Sequence, residues 1–278
     1  MDISGRTGLV AHLGYPTGSF KAPMIYNPWF EAKGIDAVVV PMGVTAEAAA
    51  ATLPAVFGLT NFRGALITMP LKVLVVPMLD EVSTRVKVAG SCNAVRREAD
   101  GRLVGDMFDG EGFVRGIARK GCRLAGASVV VSGAGGVGSA IAASFALAGV
   151  ARLALHDLDS ASAERLAARL RLHHPEVEVT TGPADPKGFD VVVNATPLGM
   201  KSGDPLPFDV ERIDPTSFVG DVVMKEETTP LLAAAKARGC RIQIGVDMLF
   251  EQIPAYLEFF GFGSATPEEL KALARIRY

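Results

Sequence analysis

Short apolar runs alternate with helical stretches along the first hundred residues. LVAHLG (9–14) and AVVVPM (37–42) read as strands, and APMIYNPWFEAKG (22–34) between them reads as a helix stopped by Gly34. A second helix over 45–57 precedes the strand GALITM (64–69). This β-α-β-α-β order predicts a mostly parallel sheet with helices on its faces. In SCNAVRREADGRLVGD (91–106), Ala99-Asp100-Gly101 places a hairpin turn between two short strands.

The pattern changes after FDGEGFVRGIARKG (108–121), a helix with a glycine stop. SVVVSGAGGVGSAIAASFALAG (128–149) is a buried strand, a glycine-rich turn and a helix of small residues. Strands and helices then alternate through ARLALHD, EVEVTTG, FDVVVNATPLG and FVGDVV, a helix over 229–238, and CRIQIG. The last segment, MLFEQIPAYLEFFG (248–261), is an amphipathic helix too apolar to stand alone, and it is expected to return to the first unit.

Within the second unit, Gly133-Ala134-Gly135-Gly136-Val137-Gly138 fits G-x-G-x-x-G between a β-branched strand and a helix. The first glycine permits the tight turn, the second lets backbone approach a pyrophosphate, and the third lets helix and strand pack closely. The helix N-terminus supplies free N–H groups and positive dipole to the phosphates. A glycine turn without a ligand is the alternative, and the intact strand–turn–helix context favours a dinucleotide. The next strand ends at Asp157, whose carboxylate suits the ribose hydroxyls of NAD and repels the 2′-phosphate of NADP. No arginine follows until Arg165, and Asp159 is better placed than Asp157 to cap the helix from Ser160. The expected cofactor is therefore NAD rather than NADP. The predicted fold is α/β with two domains: residues 1–107 with 245–278 bind substrate, and 108–244 form a Rossmann-type dinucleotide-binding domain.

Composition narrows the partners. Twenty-eight basic residues against thirty acidic ones leave a net charge of -2 over 278 residues, without a basic tract for nucleic acid or an anionic membrane. No secretory leader and no apolar run of spanning length is apparent. Three scattered cysteines, Cys92, Cys122 and Cys240, suit free thiols in a reducing cytoplasm. The four histidines show no ligand spacing, and His173-His174 is expected to end an exposed helix before Pro175, so no metal is expected. The expected partner is a small molecule, and the chain a monomer or homodimer.

One charge stands out. In ALITMPLKVLVVPML (65–79) Lys72 is the single charged residue. It could bury its stem and lift its ammonium into water, or it could move protons. On these residues alone the snorkelling reading is the better one. Pro70 fits the first turn of a helix, and its positive end, with apolar neighbours, would disfavour an ammonium there.

Six stretches decide the matter. Thr68-Met-Pro-Leu-Lys72, Ala89-Gly-Ser-Cys-Asn93, Gly101-Arg-Leu-Val-Gly-Asp-Met-Phe-Asp-Gly110, the GAGGVG turn, Asn194-Ala-Thr-Pro-Leu-Gly-Met200 and Gly245-Val-Asp-Met-Leu-Phe-Glu-Gln252, in this order and spacing, resemble the shikimate/quinate dehydrogenase family over nearly the whole chain. The resemblance implies that Lys72 and Asp109 are a catalytic acid–base pair, and that Thr68, Asn93 and Gln252 contact substrate. It places Asn194, Thr196 and Met224 on the cofactor side. It further implies hydride transfer between NAD(P) and a secondary ring hydroxyl of shikimate, quinate or a related cyclic polyol. The competing reading is a non-catalytic NAD-binding regulator on the same fold, against which retention of both Lys72 and Asp109 argues.

The resemblance has gaps. Two hydroxyl residues that hold a substrate carboxylate in the family correspond here to Phe20 and Ala22, which cannot donate hydrogen bonds. Lys21 or Ser19 could substitute. Leu66 replaces a usual asparagine, Met107-Phe108 a polar pair, and Met224 a frequent tyrosine. The chemistry pair is kept while the substrate wall has changed.

Overall fold

The β-branched runs become strands because each can bury both faces between helices. A computed structural model describes residues 2–225 and 228–276. The chain divides into two units, Met1–Phe108 with Ile253–Tyr278, and Asp109–Gln252.

The first unit begins with β1 (Gly8–Gly14), α1 (Ala22–Lys33), β2 (Ala37–Gly43), α2 (Ala49–Phe57) and β3 (Phe62–Ile67). β1 lies between β2 and β3 and is parallel to both. α1 carries Pro23 in its first turn and ends on Gly34 at φ 65°, a left-handed cap that glycine adopts without a Cβ penalty. The Asn27 side chain ties α1 to β2, accepting from Val39 N at 2.7 Å and donating to Val39 O at 3.0 Å. Then follow β4 (Glu81–Val82), α3 (Thr84–Ala89), β5 (Ala94–Arg97) and β6 (Leu103–Asp106). β5 and β6 form the expected hairpin around Ala99-Asp100-Gly101, and the sheet runs β2-β1-β3-β5-β6-β4. β5 is antiparallel to both neighbours, so the sheet is mixed beyond β3.

At the end of β6, Asp106 is nearly buried and takes Arg85 Nη2 at 2.8 Å, Arg85 Nε at 3.0 Å and Ser83 Oγ at 2.5 Å. Burial opposes its charge, but Arg85, Ser83 and Met107 N together hold the carboxyl below the usual carboxylate range. A depressed folded-state pKa contributes stability that is present above the unfolded value and is lost as pH falls through the folded one. Arg85→Met should therefore cost about 2 kcal/mol at pH 7, and that gap should close as pH falls below the ordinary carboxylate value and through the lower folded-state one, where the parent also loses the pair. Melting curves of both proteins from pH 7 down to about pH 2 check this; a gap that never narrows would mean that packing of Arg85 over Phe108, not charge, was lost.

The second unit runs α4 (Asp109–Arg119), β7 (Ser128–Ser132), α5 (Gly136–Leu147), β8 (Arg152–His156), α6 (Ser160–His173), β9 (Glu178–Thr181), β10 (Val191–Asn194), β11 (Phe218–Asp221), α7 (Pro230–Ala237) and β12 (Arg241–Gln243). All strand pairs are parallel, in the order β12-β11-β10-β7-β8-β9. The chain steps outward from β7 to β9, then restarts on the other side at β10, so the order reverses between β7 and β10. That is the doubly wound arrangement, whose ligands lie beyond the carboxyl ends at the switch point. The buried Val129–Val131 and Val191–Val193 form its centre.

α8 (Gly245–Phe259) and α9 (Pro267–Leu273) close the chain. The division between units falls inside α8, at 252/253, where the sequence pattern suggested 244/245. Beyond it, Tyr256, Phe259, Phe260 and Phe262 join an aromatic cluster of the first unit, with Phe262 4.8 Å from Phe30 and Tyr256 4.9 Å from Phe108. His174, expected at an exposed helix end, is buried as the C-cap of α6.

Candidate functional site

In the first unit the chain after β3 is stitched to the end of β1. Thr68 N donates to Leu13 O at 2.9 Å, and Tyr15 N to Met69 O at 2.9 Å. No α-helix starts at Pro70. Leu71 N bonds Thr68 O, Val75 N bonds Leu71 O, and only a 3-10 turn, Val76–Met78, follows. The β-branched Val73, Val75 and Val76 and then Pro77 leave too short a run for a helix to propagate. The helix end expected to act on Lys72 is thus absent, and the lysine sits in a turn. It is half-buried between the fully buried Leu71 and Val75, and its carbonyl accepts from Cys92 N at 2.8 Å.

Phe20 and Thr68 both flank Gly14, where an added Cβ would stand 2.4 Å from Thr68 Cγ2 and 3.3 Å from Phe20 Cζ. Phe20 stacks on His12 of β1, ring centroids 3.9 Å apart at 23°. Burial first, and then the nearby Lys72 charge, push His12 down to about 4, so its imidazole is neutral at pH 7. Burial pushes the neighbouring Cys92 thiol up to about 12. Lys21 and Ala22 begin α1, and the Lys21 side chain makes no cap bond. Asn93, just before β5, is buried. Its Oδ1 accepts Phe108 N at 2.9 Å, so it holds the end of β6 in place.

In the second unit the glycine turn has the shape a dinucleotide requires. Gly133 stands at φ 105°, and a Cβ on Gly138 would lie 1.9 Å from Gly133 O. A Cβ on Gly135 or Gly136 would meet nothing within 4 Å, and no side chain caps α5. Gly135, Gly136 and Val137 therefore present backbone N–H groups at a helix N-terminus, a cradle for phosphate charge, while Gly133 N is spent on His156 O and Ala134 N on Asp157. Asp157 Oδ2 accepts Ala134 N at 2.7 Å and Oδ1 accepts Asp159 N at 2.9 Å, which aims the carboxylate at the turn with lone pairs to spare. Asp159 caps α6 through Ala161 N and also binds Ser162 and Arg165. Leu158 between them is 96% exposed.

The loop after β10 is held from within. Asn194 is fully buried; its Nδ2 donates to Leu198 O and Asp221 Oδ1 at 3.0 Å each, and its Oδ1 accepts Thr196 N and Thr196 Oγ1. The side-chain amide of Asn194 is thus spent on the protein, and it shapes the loop. Thr196 remains partly exposed and Met224 half-exposed. Sequence reasoning missed the centre of this network. Asp221 also takes Thr229 Oγ1 at 2.7 Å, and burial pushes its carboxyl up. The signal was a lone carboxylate closing the apolar strand FVGD, as the lone imidazole in LVAHLG was for His12.

Asp109, the buried first residue of α4, and Gln252 belong to this unit. Gln252 Oε1 is buried and without a partner among the described residues. Thr68, Lys72, Asn93, Phe20, Lys21 and Ala22 belong to the first.

A doubly wound parallel sheet with a bare glycine turn and a carboxylate beside it defines a dinucleotide-binding protein. Residues 13–95 match the shikimate dehydrogenase substrate binding domain. The shikimate dehydrogenase (NADP(+)) of Rhodospirillum rubrum is 34% identical over 280 residues, covering 97% of this chain and 98% of its own. Shikimate 5-dehydrogenase from Listeria monocytogenes, solved with shikimate and NAD, superposes with a TM-score of 0.91 at 25% identity over 98% of both chains. The 5-ketofructose reductase of Gluconobacter sp. strain CHM43 does so with a TM-score of 0.88 at 26% identity, over 97% of this chain and 98% of its own. The chain belongs to the shikimate/quinate dehydrogenase family and is an NAD(P)-dependent oxidoreductase.

Proposed function

We propose that the chain catalyses reversible hydride transfer between a nicotinamide cofactor and a secondary ring hydroxyl of shikimate, quinate or a related cyclic polyol, with Lys72 and Asp109 as the acid–base pair. The observation that carries this reading is Lys72, the one charge of an apolar turn beyond the carboxyl ends of β1 and β3, with its field felt at His12. The bound dinucleotide supplies the hydride acceptor. As the carbinol carbon gives up its hydride, the hydroxyl proton must leave, and Lys72 Nζ takes it; in reduction Lys72 returns it to the forming alkoxide. Asp109 is the carboxylate member of the pair. Thr68 and Gln252 orient substrate hydroxyls, the orphaned Gln252 Oε1 being an acceptor in want of a donor.

The cofactor is proposed to be NAD. The curated relatives carry NADP(+) in their names, and descent alone favours the phosphorylated form. The residues at the end of β8 speak otherwise: two carboxylates flank an exposed leucine, and Arg165 is engaged with Asp159. A 2′-phosphate there faces like charge, which should favour NAD by about 100-fold in kcat/KM. Steady-state reduction of NAD and NADP with shikimate and with quinate tests both parts. Preference for NADP would overturn the cofactor assignment. NAD binding with no turnover of either acid or of an uncharged cyclic polyol would overturn the dehydrogenase reading in favour of an NAD-binding regulator.

A further inference from the structure

We infer that His12 determines substrate specificity, offering a neutral imidazole N–H to a hydroxyl or carbonyl oxygen of an uncharged polyhydroxylated substrate, which the site prefers to a carboxylate. This rests on the dehydrogenase reading above and narrows its substrate class.

The argument begins with position. His12 lies near the carboxyl end of the strand flanked on both sides by parallel partners, the end where open α/β sheets place their ligands. An apolar side chain would complete the LVAHLG pattern at this point, and an imidazole there needs a reason. Its packing does not supply one. Nδ1 is buried without a partner among the described residues, and one ring face is covered by Phe20.

The protonation state follows from the same surroundings. An imidazolium would bury a second unpaired N–H and would face the Lys72 charge, and the group is accordingly neutral. A neutral ring has one proton to place. On Nδ1 it would be a buried donor without an acceptor, the costlier arrangement, so Nε2 carries it. The half-buried ring therefore has one polar atom to offer a ligand, and that atom donates.

Its neighbours define what it can donate to. The His12–Phe20 pair presents aromatic carbon and a single N–H. A carboxylate needs several donors to replace its hydration, and an aromatic face repels negative charge. A hydroxyl or ketone oxygen is satisfied by one donor, and the C–H face of a polyol or keto sugar packs well on a ring. The wall around Lys72 thus suits a neutral polyhydroxylated substrate.

The test compares the parent with His12→Leu and His12→Gln, using NAD with quinate, shikimate and myo-inositol, and NADH with 5-ketofructose. The parent should turn over at least one uncharged probe with a kcat/KM about tenfold above either acid. His12→Leu should raise KM for that probe about tenfold, with kcat falling far less, and should leave the acids within twofold. His12→Gln, which can place an amide N–H near the position of Nε2, should recover most of the loss. A parent that prefers the acids, or a leucine variant with unchanged discrimination, overturns the inference and leaves the dehydrogenase reading standing. Imidazole ¹⁵N spectra with the His12 signal assigned by the variants give a readout free of turnover. The Nε2–H tautomer at pH 7, shifted by an uncharged probe in the presence of NADH, supports the inference even should no probe be turned over. A His12 signal titrating near 6.5, or one indifferent to every probe, overturns it.

Discussion

Lys72→Met should lower kcat about a thousandfold while leaving NADH affinity unchanged. The loss is that of a positioned proton acceptor. With the amine gone, the hydroxyl proton has only water to go to, and the alkoxide formed in the opposite direction has no adjacent donor. Methionine keeps the apolar stem that packs beside Leu71 and Val75, so the turn from Thr68 to Met78 should survive and melting temperature should change little. Lys72→Arg should not rescue activity, because a guanidinium does not give up its proton at working pH and its planar fork differs from a point ammonium. The variant has a second signature. Part of what holds His12 down at about 4 is the Lys72 charge, so removing it should raise the histidine's pKa; burial, the larger cause, remains and keeps it below the ordinary value. Titration of the His12 signal in Lys72→Met measures that coupling directly. Retention of kcat within tenfold would show that the proton goes elsewhere and that Lys72 is the solvated lysine its local sequence first suggests.

That tension between local and distant information runs through the molecule. The strands of the second unit were legible because a parallel sheet covered on both faces writes unbroken valine runs, as at Val129–Val131 and Val191–Val193. The glycine turn was legible because its chemistry is local: a positive φ at Gly133, a close approach at Gly138 and an open cradle at Gly135 and Gly136. The division of labour between Asp157 and Asp159 followed from cap spacing, and the structure shows Asp159 capping α6 while Asp157 faces the turn.

What was not legible depends on partners far away in sequence. Pro70 permitted a helix start, but the β-branched valines and Pro77 allow only turns. Nothing local to Asn93 announces its burial, and it is the backbone of Phe108 that makes it a buried acceptor. That Asn194 is held by Asp221, 27 residues on, is likewise invisible in its own loop. The boundary at 244/245 was drawn where the strand CRIQIG ends; which core each turn of α8 joins is decided by Phe260 and its aromatic neighbours. His12 belongs to the same class: the run LVAHLG marks it as odd, and only the stack on Phe20 and the orphaned Nδ1 show how.

Two alanine substitutions in the glycine turn should separate folding from cofactor binding. Gly138→Ala places a Cβ 1.9 Å from Gly133 O, a backbone atom that cannot swing aside, so α5 must back away from β7. Such overpacking should cost about 3 kcal/mol and lower the melting temperature by about 10 °C. Gly135→Ala differs in kind. Gly135 has φ −72°, open to any L-residue, and its Cβ would enter space where nothing lies within 4 Å. That variant should fold as the parent does, within about 0.5 kcal/mol. The space it fills, however, is where backbone must come close to a pyrophosphate, and a methyl group there holds the phosphates off the N–H groups of the first turn of α5. NADH affinity should fall about thirtyfold or more, since a 1.4 kcal/mol loss is already tenfold and several charge-assisted bonds lengthen together. Thermal melts and NADH fluorescence titrations of the two variants decide the matter. Loss of stability in Gly138→Ala alone, and loss of affinity without loss of stability in Gly135→Ala, locate the phosphates in the cradle. Normal NADH affinity in Gly135→Ala would place the dinucleotide elsewhere and reduce the glycines to a device for packing helix against strand.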